Sequence, residues 1–171
     1  MKPDTGRARQ PVVLAEEMPA GEVVAIVDWL TAAGVTYQVN GGWGVDALAG
    51  RQTRPHRDAD LFVDDTAMPA LLAWLGERGY RVTEDWLPTR VELAGDRGRV
   101  DVHPMVIDAS GDGVQRGFGE EVFVHAARDR TVGTIGERQV VVASAERLRQ
   151  LRSGYAPRPV DLLDLAVLDH L

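Results

Sequence analysis

The chain contains no cysteine, and this absence excludes several classes of protein. Disulfide-stapled scaffolds, thiolate metal centres and cysteine nucleophiles all need a sulfur that these 171 residues do not supply. Long apolar runs are missing as well, since none approaches the roughly 18 residues that a membrane helix needs. The charged N-terminus lacks the compact apolar core of a signal peptide. We therefore expect a cytoplasmic protein with no membrane partner.

Positive charge is scarce relative to negative charge. The chain has 19 lysines and arginines against 26 aspartates and glutamates, which gives a formal net charge of −7. Affinity for duplex nucleic acid depends on neutralising its phosphates, so we expect no nucleic-acid partner. An acidic cleft would attract a cationic small molecule. The same charge could also do no more than keep the protein soluble.

The pattern of apolar residues predicts an α+β fold, a mixed sheet with flanking helices. We expect a flexible N-terminal arm over residues 1–17, a core over residues 18–143, and C-terminal helices over residues 144–171 on the same domain. A glycine-rich stretch, Asp108 to Gly119, is predicted to be a loop. The predicted helices are Pro19–Ala33, Trp43–Ala49, Thr66–Arg78, one from Ser144 to about Arg152 and one beginning at Pro159. The predicted strands are Val35–Val39, Asp58–Val63, Arg81–Glu84, Arg90–Ala94, Arg99–Ile107, Val122–Val124, Thr131–Ile135 and Gln139–Val142.

Two aspartates, Asp58 and Asp60, open an apolar strand directly after a basic segment, residues 51–57. Residues two apart on a strand project to the same face, with side-chain origins ~6–7 Å apart. Two carboxylates on one face repel each other unless a cation lies between them, and Mg²⁺ prefers carboxylates together with phosphate oxygens. The pattern predicts a site for a metal–nucleotide complex. The alternative is a strand entrance exposed to water.

A third carboxylate, Asp101, lies in the strand sequence VDVHPM. If this strand neighbours the one that begins at Asp58, Asp101 joins the pair. It would then serve as a metal ligand in phosphoryl chemistry or as a general base on an acceptor hydroxyl. An edge-strand acid facing water is the alternative. His103 shares the face of Asp101, and a structural and a functional role are both open.

The remaining candidates flank these acids. Gly41 and Gly42 precede a helix, where backbone N–H groups can approach phosphate oxygens closely. Asp46 is predicted to position the basic loop, and Trp43 to lie in the core. The other candidates are Arg54 and Arg57 for phosphate or carboxylate pairing and His56 for orienting a carboxylate.

The stretch GGWGVDALAGRQTRPHRDADLFVD resembles the signature of small nucleotidyltransferases that inactivate lincosamide and aminoglycoside antibiotics. The segments RVDVHPM and GTIGERQVVVASAERLRQLRSGYAPRPVDLLDLAVL extend the resemblance over residues 20–171. It implies a polymerase-beta-like nucleotidyltransferase fold. It also implies Mg²⁺-dependent transfer of a nucleoside monophosphate, usually AMP from ATP, to a hydroxyl, with pyrophosphate leaving. By position, the resemblance implies these site residues: Asp58, Asp60 and Asp101 at the metal, Gly41, Gly42 and Trp43 at the phosphates, and Asp46, Arg54 and His56 shaping the site.

Two positions depart from the family pattern. Arg152 lies where the family commonly has a histidine, before the Ser153-Gly154-Tyr155 segment. Val160 precedes Asp161 where the family commonly has a lysine, and the chain's only lysine is Lys2. Arg152 or Arg158 would have to supply that charge, although arginine and lysine are not equivalent at a phosphate.

We expect the acceptor to be a small cationic molecule such as an aminoglycoside or a lincosamide. Its ammonium groups would meet four acids: Asp161, Asp164, Glu120 and Glu121. Two alternatives are open, a non-antibiotic acceptor and a protein of this fold that no longer uses a nucleotide. A homodimer that completes the acceptor cleft is open too.

Overall fold

A mixed nine-stranded sheet forms the centre of the fold in this computed structural model, which describes Pro11 and residues 13–171. The strands are β1 Tyr37–Asn40, β2 Ala59–Asp64, β3 Arg81–Trp86, β4 Arg90–Ala94, β5 Arg99–Ile107, β6 Gly113–Arg116, β7 Val122–His125, β8 Arg130–Ile135 and β9 Arg138–Ala143. The helices are α1 Ala20–Ala32, α2 Gly41–Ala49, α3 Met68–Glu77, α4 Ala145–Leu151 and α5 Pro159–Asp169. The predicted α+β class, a mixed sheet with flanking helices, is confirmed.

The strand order is β3-β4-β5-β2-β1-β9-β8, and β6 and β7 extend from β5 as a ribbon. β2 runs parallel to β5 and β1 parallel to β9, whereas the other neighbours are antiparallel. The alternating apolar residues of β1, β2 and β5 pack with α1 and α3 into the main core. Because side chains alternate along a strand, the intervening polar residues project to the opposite face.

The C-terminal helices lie beside α2. Val45 of α2, Ala143, Leu148 of α4 and Leu168 of α5 form a second, smaller apolar cluster. Ser144 caps α4 by accepting a hydrogen bond from the Arg147 N–H, as its position predicts.

Two differences from the predicted elements affect the region around the acids. The predicted loop over residues 108–119 contains β6, which pairs with both β5 and β7. This strand holds a single strongly apolar residue, Val114, so its pattern does not stand out from the surrounding glycines. Helix α2 begins at Gly41 and not at Trp43, so the double glycine is part of its first turn.

The predicted N-terminal arm falls mostly on residues 1–10 and 12, which lie outside the described residues. Within the described part, Ala15 donates its N–H to the Gly95 carbonyl at 2.7 Å and accepts from Arg99 Nε at 2.7 Å. No helix in this described portion of the chain is both long and apolar enough to cross a membrane.

Candidate active site

Strand register gathers the predicted acids into one row across the sheet. Asp60 of β2 lies directly opposite Asp101 of β5, Asn40 of β1 lies opposite Asp60, and Glu92 of β4 lies opposite Asp101. Cross-strand partners project to the same side of a sheet. The four side chains therefore line one open cleft of about 600 Å³.

Asp58, one residue before β2, completes a group of three carboxylates. Burial and, after it, the nearby charges of Asp60 and Asp101 raise the pKa of Asp58 to about 6. Carboxylates that raise one another's pKa in this way share one site. The structure thus brings together the three acids that the sequence singled out.

Asp101 is the most constrained of the three. Its Oδ2 accepts a hydrogen bond from Arg90 Nη1 at 2.8 Å and lies 3.4 Å from His103 Nε2. Burial opposes its ionisation, but the neighbouring His103 and the Arg90 guanidinium outweigh burial and lower its pKa. Its Oδ1 is buried and has no hydrogen-bond partner among the described residues. Oδ1 is therefore the oxygen that is available to a cation or to a substrate hydroxyl.

These residues fit a divalent cation. A buried oxygen without a partner is costly, and three converging carboxylates repel one another, so a bound cation would relieve both costs. Asp60, Asp101 and His103 each offer an atom, and these atoms lie within 4.8 Å of one another. Asp58 is outside this tightest group. Oxygen ligands of this kind suit Mg²⁺.

The cleft leaves no room for a side chain at Gly41 or Gly42. Gly41 has a φ of +63°, and a Cβ there would overlap the Asp60 carboxylate. A Cβ at Gly42 would overlap the side chains of His56 and Arg54. The first turn of α2, with its free N–H groups, consequently lies directly against the carboxylate row.

Trp43 and Asp46 lie beneath the cleft and not in its wall. Trp43 is 2% exposed, donates Nε1–H to the Met18 carbonyl at 3.1 Å, and packs on His56 with ring centroids 4.7 Å apart. Asp46 is 2.5 Å from His56 Nε2 and accepts hydrogen bonds from the N–H and hydroxyl of Thr53. Burial opposes the ionisation of Asp46, but these hydrogen bonds lower its pKa. Any part that Trp43 and Asp46 play at a nucleotide is therefore indirect, through His56 and the loop.

The acids of α5 are already paired, which corrects the expectation that they bind ammonium groups. Asp164 accepts two hydrogen bonds from Arg54, at 2.9 and 3.0 Å, and one from Arg152 at 3.0 Å. Asp161 accepts two from the Arg158 guanidinium, at 2.9 and 3.0 Å. The Arg158 contacts, despite the opposing effect of burial, lower the pKa of Asp161 to about 2.

The other predicted residues are spread over the cleft and its surroundings. Arg57 is largely exposed in the cleft wall, and its Nη1 is 3.8 Å from Asp58 Oδ2. Arg158 and Val160 line the same cleft. The two predicted glutamates, Glu120 and Glu121, lie exposed in the turn between β6 and β7, away from the cleft wall.

Sequence reasoning missed Arg90 and Glu92. Arg90 Nη1 bridges Glu92 Oε1 at 2.5 Å and Asp101 Oδ2 at 2.8 Å. Arg90 and Glu92 are two residues apart on a predicted strand, which places their side chains on one face. Only the pairing of β4 with β5 shows that this is the face of Asp101.

Known proteins resemble this chain in sequence and in fold. A sequence model of the aminoglycoside-2″-adenylyltransferase family matches residues 22–168. A lincosamide resistance protein from Staphylococcus haemolyticus is 32% identical over 147 residues, which cover 84% of this chain and 90% of the relative.

Two solved structures share the fold. The lincomycin-bound lincosamide antibiotic adenylyltransferase LnuA superposes with a TM-score of 0.82 at 29% identity, covering 90% of this chain and 98% of LnuA. ANT(2″)-Ia, in complex with adenylyl-2″-tobramycin, superposes with a TM-score of 0.65 at 18% identity, covering 88% of this chain and 87% of that one. The expected nucleotidyltransferase fold is thereby confirmed.

Proposed function

The chain belongs to the aminoglycoside-2″-adenylyltransferase family of enzymes, and on that premise we propose that it transfers AMP from ATP to a hydroxyl of a lincosamide. One observation carries the proposal. Asp58, Asp60 and Asp101 converge in one cleft, directly against the first turn of α2.

The carboxylates and the start of α2 would together hold the triphosphate. Asp58, Asp60 and Asp101 would hold Mg²⁺, which when bound offsets the negative charge of the carboxylates and the phosphates. The free N–H groups of Gly41 and Gly42 would donate to phosphate oxygens, because a helix N-terminus favours an anion. His56, fixed by Asp46, would support that turn.

Arg158 stands in for the lysine that the family pattern places at Val160. Its side chain is 68% exposed and lines the cleft, so it can reach a phosphate. Arg152 is only 7% exposed and is held by Asp164 and the Leu148 carbonyl. Of the two arginines, Arg158 is therefore the more exposed, although Asp161 accepts two hydrogen bonds from its guanidinium.

The acceptor proposed first is a lincosamide because the cleft has few carboxylates left for a polycation. Among the described residues that line it, Glu92 is paired with Arg90, and the two aspartates of α5 are paired with arginines. The remaining three are the acids proposed to hold the metal. A lincosamide carries a single basic amine, whereas an aminoglycoside carries several. An aminoglycoside is the second candidate, supported by the family description.

The test is a transfer assay on the purified chain. The protein is incubated with Mg²⁺, each NTP in turn, and lincomycin or tobramycin, and pyrophosphate release is measured together with the mass of the acceptor. We expect release that depends on lincomycin and a mass increase equal to one AMP. If calorimetry detects no NTP binding in the presence of Mg²⁺, the proposal is refuted.

A matched pair of variants assigns the activity to the site. Asp60→Asn removes one charge from the carboxylate group and should lower kcat by roughly 100-fold, or about 2.7 kcal/mol. Asp65→Asn makes the same change on an exposed residue just after β2 and should leave kcat unchanged. Equal kcat values for the two variants would show that the Asp60 carboxylate takes no part in the reaction.

A further inference from the structure

A buried chain of hydrogen bonds lies behind the carboxylate group. Gln115, on β6, is 6% exposed, and its Nε2 lies 3.2 Å from the Thr89 carbonyl oxygen and 3.2 Å from His103 Nδ1. Its Oε1 lies 2.8 Å from His125 Nε2. His103 in turn directs its Nε2 at Asp101 and Asp60. The hydrogen bonds thus run from a backbone carbonyl to His103. Among the described residues its Nε2 makes no hydrogen bond, and it lies 3.4 Å from Asp101 Oδ2 and 3.7 Å from Asp60 Oδ1.

The Thr89 carbonyl fixes the direction of these hydrogen bonds. A carbonyl oxygen can only accept, so the Gln115 atom that faces it must be the amide nitrogen, which donates. The same nitrogen faces His103 Nδ1, which therefore accepts. The amide oxygen faces His125 Nε2, which therefore donates. If the amide were reversed, the Gln115 Oε1 would lie against the Thr89 carbonyl oxygen, and neither atom could donate a hydrogen bond.

This direction determines which nitrogen of His103 carries the proton. With Nδ1 accepting from Gln115, the ring proton is on Nε2, where it points at the carboxylates. The Phe62 ring stacks on the His103 imidazole, with ring centroids 4.2 Å apart and an interplanar angle of 5°, and so fixes the plane of the imidazole. A protonated Nε2 has no lone pair for a metal ion, although its position near the two carboxylates would suit a ligand.

The direction of the Gln115 amide also disfavours a doubly protonated His103 ring. A second ring proton would sit on Nδ1 and face the N–H of Gln115. Since Thr89 prevents the amide from turning, Gln115 opposes that proton.

We propose that Gln115 is a positioning residue that holds His103 as its Nε2–H tautomer, so that His103 orients Asp101 and Asp60 and leaves metal coordination to carboxylates. Only the last consequence depends on the proposed transferase function. The tautomer itself is a property of the protein without nucleotide, metal or acceptor.

The tautomer is tested by NMR of the metal-free, ¹⁵N-labelled full-length chain near neutral pH. Long-range ¹H–¹⁵N correlations distinguish protonated from unprotonated imidazole nitrogens, and the His103→Gln variant assigns the signal. We expect an unprotonated Nδ1 and a protonated Nε2. A protonated Nδ1 would overturn the proposal whether or not the chain has transferase activity.

Two variants test the role of the amide. Gln115→Glu replaces its donor by an acceptor and should move a proton onto His103 Nδ1. Gln115→Met removes the hydrogen bond without adding a buried charge, so it remains informative if the glutamate variant does not fold. Gln139→Glu makes the same charge change at an exposed position on β9 and serves as the matched control. An unchanged His103 spectrum in every folded Gln115 variant would overturn the proposal.

Kinetics provide the second readout. Because carboxylate orientation matters in the transition state, Gln115→Met should lower kcat about tenfold with little change in the KM for lincomycin. Calorimetry should show weaker Mg²⁺ binding by about the same factor, whereas Gln139→Glu should match the parent chain in both. A loss confined to the KM for lincomycin, with Mg²⁺ affinity unchanged, would contradict a positioning role.

Discussion

His125 is a buried histidine whose protonation should destabilise the fold as the pH falls below 6.5. It is 2% exposed, and burial, followed by the charge of Arg147, lowers its pKa from 6.5 to about 4. The described residues place no carboxylate against it. Its Nε2 donates to Gln115 Oε1, and its buried Nδ1 has no hydrogen-bond partner among those residues.

The sign and size of the effect follow from linkage. Between pH 6.5 and about 4, the unfolded chain binds a proton at His125 and the folded chain does not. The free energy of unfolding therefore falls as the pH drops through this window, and the full stabilisation is present above pH 6.5. The difference between the two pKa values corresponds to about 3 kcal/mol.

Urea unfolding of the parent chain and of His125→Phe, at several pH values across the window, measures this contribution. Phenylalanine keeps an aromatic ring against Phe62, with which His125 makes a ring contact at 4.6 Å. We expect the parent chain to lose about 3 kcal/mol more than the variant as the pH falls. Parallel stability curves for the two proteins would show that His125 titrates at the same pH in both states.

Two further predictions concern the walls of the cleft. Asp164→Asn should lower the free energy of unfolding in urea by about 3 kcal/mol or more. The reason is that the substitution leaves the buried Arg152 and the half-buried Arg54 without their shared anion. A change below about 1 kcal/mol would contradict this prediction. Gly42→Ala should lower both stability and kcat, since the added Cβ overlaps His56 and Arg54. At Gly76 in α3 an added Cβ meets no atom of the described chain within 4 Å, so Gly76→Ala should be neutral or stabilising by up to about 1 kcal/mol. Thermal unfolding together with the transfer assay tests this pair, and equal effects of the two substitutions would refute it.

The pairing of Asp58 with Asp60 was predictable because the two residues are close in sequence. Asp58 and Asp60 are two residues apart at the start of an apolar run, so the period of a strand alone puts them on one face. Asp101 was harder, since its contribution depends on β5 lying beside β2. The apolar content of both strands made that pairing a reasonable expectation, and the register sets Asp60 directly opposite Asp101.

The ion pairs of α5 could not be predicted in the same way. Asp164 and Arg54 are 110 positions apart, and no periodicity links them. A helix that carries several acids looks available to a cationic ligand until the fold brings arginines to it. Gln115 was missed for a related reason, because β6 is short, contains one apolar valine and lies between glycines.

The replacement of the family's lysine by Val160 shifts the proposed phosphate binding towards α2. Arg158 lines the cleft, but two hydrogen bonds to Asp161 leave that pair without net charge. Arg54 and Arg152 share Asp164, which offsets one of their two positive charges. Among the arginines of the described cleft wall, Arg57 is the most loosely held, with its nearest carboxylate oxygen at 3.8 Å. It follows that the N–H groups at Gly41 and Gly42, together with a cation on the carboxylates, would contribute more to holding a triphosphate than any C-terminal side chain does.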